Sequence, residues 1–490
     1  MILFLVIVII LAMLCIALRH CNGTYKVYGG DMELVSIFSM QDFVNLFKKS
    51  IALTNKPATI FFKDIPDEYP YTDDKCIMKK MNGNGQRKLC LEQIQFLTKY
   101  KDQVEILLYT GSGPGQMSGY VYNLFPRIKY IMVDPHDHNL FMGTTEDYLT
   151  KTYNFKESKH MYKHMNKIVY LYDNGVIKTT ALDYPANIYD FKNDKIHQLD
   201  RNADAAIIKS IMKTNVFKKE YATNIKRLIT TSKYNFFIIQ DFFTNNTASV
   251  FYDVLKDTNF AYTSDIRSRD EEIIDYGVFW NLAQQYIWTK ILNPSLYKLK
   301  FRIPFQGSID LGLIKDYMKE DLTIYKEKYK IDQVGDYKKG ILTYLPGEIY
   351  IQPWAPINST ETRLVGTSAD LKKPLVVYKE KDYTAKFFYY NTLYRQCVMH
   401  KNNYIDKERE IDHCADCALE IQILEDYKNK VDPTFDILQC IDIFRKLTKF
   451  KWKKPYPPHG TFYEPMTYEK IRKFAIKHRV NECKSMPPAI

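Results

Sequence analysis

Two kinds of apolar spacing alternate along this chain. Short apolar runs at residues 58–62, 106–109, 130–133, 236–240, 260–264, 296–303 and 348–352 predict strands. Between them the spacing turns helical: near residues 40–49, in the segment carrying Leu89, Leu91, Ile94 and Leu97, locally within 205–230, and at 247–256 and 276–292. Asn293-Pro294 stops the last of these, and residues 383–397, 411–427 and 434–449 complete the helices. Strands alternating with helices predict an α/β fold with a mainly parallel central sheet. No internal repeat is visible.

The stretch from Glu105 to Asp134 organises the rest. A strand at 106–109 runs into Gly111-Ser112-Gly113-Pro114-Gly115, a helix-like segment follows, and the next strand, 130–133, ends on Asp134. Glycines at a strand-to-helix turn let backbone approach a ligand closely, and an acid ending the following strand can bind ribose hydroxyls. The pattern points to a nucleotide-type cofactor.

The first residues follow another rule. Residues 2–18 are an unbroken apolar run, followed by Arg19 and Lys26, with no basic segment before it and no small-residue cleavage site before Cys21. That predicts a single-pass membrane anchor through residues 2–18, with a signal peptide as the alternative. Cations after the run predict a catalytic body facing the cytoplasm. The sequons at Asn22, Asn245 and Asn358 would report the opposite topology. The boundaries read as anchor or signal-like segment 1–22, extension 23–64, a first catalytic part 65–138, insertion 139–233, a second part 234–450, and a basic, Pro-rich tail 451–490.

Charge and cysteine content narrow the partners. A formal charge of +12 over 490 residues favours a polyanion such as RNA, DNA or an anionic membrane, and 39 Tyr with 28 Phe suit base stacking or a large aromatic core. Nine cysteines, an odd number, exclude a disulfide scaffold. Cys414-Ala415-Asp416-Cys417 after His413 is a CxxC, but only Cys397 and Cys440 offer further short-range thiols. It reads as structural thiols on a helix, and no metal is expected.

Side chains at the carboxyl ends of parallel strands carry the chemistry of such folds. Asp134 and Asp265 sit there, Glu361 follows a strand closely, Lys300 lies within one, and Lys88 begins the helix before the Gly-rich turn. With Lys88, Asp265, Lys300 and Glu361 in that chain order the chain resembles the poxvirus cap-specific mRNA (nucleoside-2′-O-)-methyltransferase family, which also serves as the small subunit of poly(A) polymerase. The resemblance is carried by Gly85-Gln86-Arg87-Lys88-Leu89, Tyr109-Thr110-Gly111-Ser112-Gly113-Pro114-Gly115 and Ser264-Asp265-Ile266-Arg267-Ser268-Arg269. It continues in Leu299-Lys300-Phe301-Arg302-Ile303-Pro304-Phe305, Gln352-Pro353-Trp354-Ala355-Pro356 and Glu361-Thr362-Arg363-Leu364, and covers about residues 65–138 and 234–450.

The resemblance implies a virus-encoded enzyme with a Rossmann-like methyltransferase fold and S-adenosylmethionine as methyl donor. The donor would be held by Gln86, Tyr109, Gly111, Ser112, Gly113, Gly115, Asp134, His136 and Phe243, with Asp134 on the ribose and Phe243 on the adenine. Lys88, Asp265, Lys300 and Glu361 fall on the family's catalytic tetrad. Lys300 is then the base for a ribose 2′-hydroxyl of capped mRNA, with its cationic form destabilised by Lys88 and desolvation. Tyr69 and Phe305 fall where the cap base stacks; Arg302, Ser359 and Thr360 fall on RNA backbone contacts, next to Ile303 and Pro304. Gly307 and Thr384 stand where the family holds the cap with acids, which leaves a methyltransferase without cap selectivity as an alternative. A poly(A) polymerase catalytic subunit is the implied protein partner, and a non-catalytic polymerase-associated or virion membrane protein is the other reading.

Overall fold

The computed structural model describes residues 26–27, 30–31, 59–68, 85–113, 115, 117–135, 186–190, 195–199, 222–231, 235–239, 241–267, 274–305, 335–336, 340–356, 359–395 and 400–448. In chain order the main elements begin with helix α1 (Gly85–Tyr100), strand β1 (Ile106–Thr110), helix α2 (Ser118–Leu124) and strand β2 (Lys129–Val133). Strands β3 (Ala186–Asp190) and β4 (Lys195–Leu199) precede α3 (Ala222–Thr231), β5 (Phe236–Ile239), α4 (Asn245–Leu255), β6 (Phe260–Ser264), α5 (Ile274–Leu292) and β7 (Leu296–Phe301). The last third supplies β8 (Ile341–Tyr344), β9 (Glu348–Tyr350), β10 (Thr362–Thr367), β11 (Val376–Lys379), α6 (Glu380–Tyr389), α7 (Ala415–Lys430) and α8 (Ile437–Thr448).

Among the described residues nine strands form one sheet in the order β9-β10-β7-β6-β1-β2-β5-β3-β4. The six from β7 to β3 run parallel, while β4 at one edge and β10 at the other run against them and β9 pairs antiparallel with β10. This is the expected Rossmann-like α/β architecture with a mostly parallel sheet. Its strands read as apolar runs because both faces are covered. In β1, Leu107 and Tyr109 enter a core with α1, α2, α7 and α8, whereas Ile106 and Leu108 enter a second core with α3, α4, α5 and α6. The same alternation holds in β2 (Tyr130 and Met132 against Ile131 and Val133) and in β5 (Phe236 and Ile238 against Phe237 and Ile239). Each such fully buried side chain contributes about 1.5–3 kcal/mol.

The helices carry conventional stops. Thr244 caps α4 by accepting the Thr247 N–H, and Asn293, at φ 46°, ends α5 in the left-handed region before Pro294. Helix α6 runs on into a π-helical turn, Tyr390–Tyr394. Strands β3, β4, β8, β10 and β11 were not anticipated by the apolar runs. β10 hides because Arg363 is buried within it and Gly366 interrupts it; a Cβ on Gly366 would lie 2.2 Å from the Tyr297 ring. At 58–62 only an isolated bridge from Phe61 to Tyr350 forms, followed by a 3₁₀ turn, because Phe62–Asp64 leaves the extended conformation. The helix expected at 40–49 lies outside the described residues.

The membrane expectation is corrected. No helix among the described residues is long and apolar enough to cross a membrane. Helix α5, of 19 residues, spends Leu282, Ala283 and Ile287 on the second core instead. The single-pass anchor through residues 2–18, and the cytoplasm-facing placement derived from it, are therefore withdrawn; that segment itself lies outside the described residues.

A buried ionic network joins α1 to the β7–β10 edge. Glu92 of α1 accepts from Lys298 of β7 at 3.3 Å, from Arg363 Nε of β10 at 2.8 Å and from Gln352 Nε2. Removing one partner of such a network strands the rest in low dielectric. Glu92→Ala is expected to cost about 3–5 kcal/mol in a urea unfolding curve. Glu348→Ala, which breaks the exposed pairs with Lys63 and Lys99, should cost under about 1 kcal/mol. Equal midpoints for the two variants would refute the network's role.

Candidate functional site

Register at the carboxyl ends of the parallel strands sets the site. Thr110 lies opposite Val133 on one side and Ser264 on the other, and Ser264 lies opposite Leu299. Gly111, Asp134 and Asp265 therefore follow their strands at one end of the sheet, and Lys300, still within β7, lies level with them. Antiparallel β10 then puts Arg363 opposite Lys300, with Glu361 just before the strand begins. Gln285 of α5 fixes the Lys300 backbone from both sides: its carbonyl accepts the Lys300 N–H, and its amide donates to the Lys300 carbonyl, each at 3.1 Å.

The glycine turn is tight for identifiable reasons. Gly111 has φ 71° and Gly115 φ 60°. A Cβ on Gly111 would stand 2.6 Å from the Ile266 nitrogen, so the turn presses on the backbone just after Asp265. Gly113 donates its N–H to Asp134 Oδ2 at 2.9 Å, and a Cβ there would meet Asp134 Cγ at the same distance. Asp134 is thereby held against the turn, buried to 6 % exposure.

Lys88, Asp265, Lys300 and Glu361 meet in space. Lys300 Nζ is 3.0 Å from Asp265 Oδ1 and 3.4 Å from Glu361 Oε2; Lys88 Nζ donates to Glu361 Oε1 at 2.8 Å. Lys88 reaches them because α1 covers the sheet face onto which Lys298 and Lys300 project, two residues apart on β7. Two arginines complete the cluster, and both sit in sequence blocks already quoted without being singled out. Arg363 donates to Asp265 Oδ1 at 2.6 Å and to Glu361 Oε1 at 3.3 Å while its Nε holds Glu92. Arg267 Nη2 is 3.6 Å from Glu361 Oε2, and neither of its buried terminal nitrogens makes a hydrogen bond to the described protein. The signal that finds both is alternation: each lies two positions from an acid of the cluster.

The electrostatics follow from burial and these neighbours. Desolvation pulls the Lys300 pKa below the ordinary lysine value; Asp265 and Glu361 oppose that shift, while Arg267 and Arg363 add to it. The cations pressing on Lys300 are thus the two guanidiniums, and Lys88 is engaged with Glu361, a different role from the one expected of it. Burial pushes both acids up, but Lys300 and Arg363 outweigh it at Asp265, and Lys88, Lys300, Arg363 and Arg267 outweigh it at Glu361, so both lie below the usual carboxylate range.

Beside this cluster a cleft opens between α1, α2 and the glycine turn, lined in part by Gln86, Gln93, Tyr109, Ser112, Gly115 and Tyr130. Gln93 Nε2 and the Tyr130 hydroxyl are buried there with no hydrogen-bond partner among the described residues, which suits a ligand carrying polar groups. Phe243 does not line it. Its ring packs on Tyr262, Phe251 and Trp288 in the second core, and the neighbouring Phe242 is the exposed one, at 68 %. His136 and Tyr69 lie outside the described residues.

The expected RNA contacts fall nearby along the chain. Ile303 and Pro304 are buried, and the Arg302 guanidinium lies 5.2 Å from the Phe305 ring centroid. The Ser359 hydroxyl accepts the Glu361 N–H, and the Thr360 carbonyl accepts from the Tyr383 hydroxyl, so both shape the approach of Glu361. Thr384 is buried on α6 and donates to the Glu380 carboxylate at 2.9 Å, which puts an acid one turn away from it.

A family model described as the poly A polymerase regulatory subunit matches residues 53–199 and 220–448. That match runs through most of the segment read as an insertion, two of whose strands, β3 and β4, extend the main sheet. No curated protein matches the chain. Since the two matched stretches take in well over half of its length, the chain belongs to the poly A polymerase regulatory subunit family.

Proposed function

We propose that this protein methylates a ribose 2′-hydroxyl of RNA, using S-adenosylmethionine, and does so as a partner of a poly(A) polymerase catalytic subunit. The observation that carries the reading is the part-buried Lys300 ammonium held between Asp265 and Glu361, at the same end of the sheet as the glycine turn and Asp134. The donor supplies an electrophilic methyl group on sulfur. Gln86, Tyr109, Gly111, Ser112, Gly113, Gly115 and Asp134 would hold it, and the unpartnered Gln93 and Tyr130 groups in the cleft fit that assignment.

A ribose hydroxyl is a very weak acid and needs a base as it attacks. Lysine serves only when its neutral form is populated, and burial beside Arg267 and Arg363 moves Lys300 in that direction. Asp265 and Glu361 aim the amine, and Lys88 anchors Glu361. Arg267, whose two buried terminal nitrogens make no hydrogen bond to the described protein beyond a 3.6 Å ion pair with Glu361, is suited to a phosphate flanking the reacting ribose, as is Arg302. Glu380 offers a carboxylate beside Thr384 for a cap base, with Phe305 for stacking. The family's description favours one further reading, a regulatory subunit that binds its polymerase without transferring methyl groups.

Transfer from radiolabelled donor to short RNA separates these. Labelling of capped RNA alone supports a cap-specific enzyme, equal labelling of capped and uncapped RNA supports one that ignores the cap, and none with an intact polymerase interaction supports the regulatory subunit. Lys300→Arg retains the charge but cannot deprotonate, so transfer should fall by about a hundredfold or more. The wild-type rate should rise with pH as Lys300 sheds its proton, with the midpoint below 10.5, and that limb should vanish in the variant. Substantial methylation by Lys300→Arg rules Lys300 out as the base. Gly113→Ala must displace the Asp134 carboxylate and should weaken binding of the donor by roughly tenfold or more in calorimetry, with melting little changed; unchanged affinity would remove Asp134 from the donor site.

A further inference from the structure

Far along the chain from this cluster, a second set of reactive side chains converges at the start of α7. Asp412, Cys414 and Cys417 are all buried, at 0 %, 1 % and 3 % exposure, and the carboxylate oxygen and two sulfurs lie within 4.8 Å of one another. Neither cysteine takes part in a disulfide. We propose that these three residues bind a structural zinc ion.

Two sulfurs and one carboxylate are the donor chemistry of zinc, which takes tetrahedral sites with Zn–S bonds of about 2.3 Å. Such bonds put tetrahedral ligands about 3.7 Å apart, so small rotations of three adjacent side chains are enough to close the shell. The backbone already orients them. Asp412 Oδ1 accepts the Cys414 N–H at 2.9 Å, and the Cys414 sulfur, capping α7, accepts the Cys417 N–H at 3.4 Å. Amide N–H groups pointing at a sulfur and a carboxylate stabilise the anionic forms a cation needs. A fourth position is left for water or for the Glu410 carbonyl, which lies 3.8 Å from the Cys417 sulfur. From sequence alone Cys397 and Cys440 are the nearest further thiols; the third donor is instead a carboxylate two residues before the motif.

The ion would pin the 400–413 segment to α7. That segment folds back on itself through His400–His413 backbone bonding and the Asp406–Ile411 bridge, with Glu410 at φ 59°. Helix α7 in turn presents Asp416 to Arg395 and Glu420 to Arg87 of α1, next to Lys88. The site stands independently of the methyl-transfer reading.

The test is elemental analysis of the full-length chain purified under reducing conditions, followed by replacement with Co²⁺. The expected result is zinc equimolar with protein, and thiolate-to-cobalt charge-transfer absorption on replacement. Cys414→Ser with Cys417→Ser should reduce bound zinc to background, and Asp412→Asn should shift the cobalt spectrum with circular dichroism preserved. Wild-type protein that holds no zinc after incubation with Zn²⁺ would overturn the proposal, as would a Cys414–Cys417 disulfide in the purified chain or a double Ser variant that keeps its zinc. The wild-type measurement decides the matter even where a variant fails to fold.

Discussion

One guanidinium holds the molecule's working edge together. Arg363 is buried to 1 % exposure, yet it satisfies three acids from three parts of the chain: Glu92 on α1, Asp265 after β6 and Glu361 before its own strand. A charge so placed is costly to bury unless every donor finds a partner, so its neighbours have little freedom. A planar fork suits this better than an ammonium could, because it addresses separate carboxylates in fixed directions. The acids left over by that geometry face Lys300 and Lys88. The positions of both acids are thus fixed in part by a residue that need never touch a substrate.

The sheet explains why such distant residues meet. Parallel strands in register end together, and whatever follows each of them shares one edge. Gly111, Asp134 and Asp265 arrive there by that rule, and Lys300 stands level with them near the end of β7. Glu361 arrives by the opposite route, since β10 runs antiparallel and begins where β7 ends. Period-2 alternation then decides which face each side chain takes, so Lys298 and Lys300 both meet α1.

The parallel core was legible because strands buried on both sides are continuous apolar runs, and a run such as Ile106-Leu107-Leu108-Tyr109 has no competing explanation. β10 was not, because its reasons are tertiary: Arg363 is tolerable only with Glu92 opposite, and Gly366 only with Tyr297 above. The convergence of Lys88, Asp265, Lys300 and Glu361 followed from strand ends and a family resemblance. The parts played by Arg267 and Arg363 did not, although each lies two positions from an acid of the cluster, and for Gln285 nothing local marks it. Phe243 shows how little position alone says: an aromatic beside a strand end packs into the core, here on Tyr262, Phe251 and Trp288, as readily as it lines a cleft. The apolar run at 2–18 misled through composition alone, a property that fixes no partner.

The pairing of Arg87 with Glu420 and of Arg363 with Glu92 has a further consequence in time. These contacts join residues separated by 333 and 271 positions. A ribosome must deliver most of the polypeptide before the first helix can exchange solvent for its eventual counter-ions. Until then Arg87, Lys88 and Glu92 of α1 lack those counter-ions, and the helix is an amphiphile rather than a finished wall of the site.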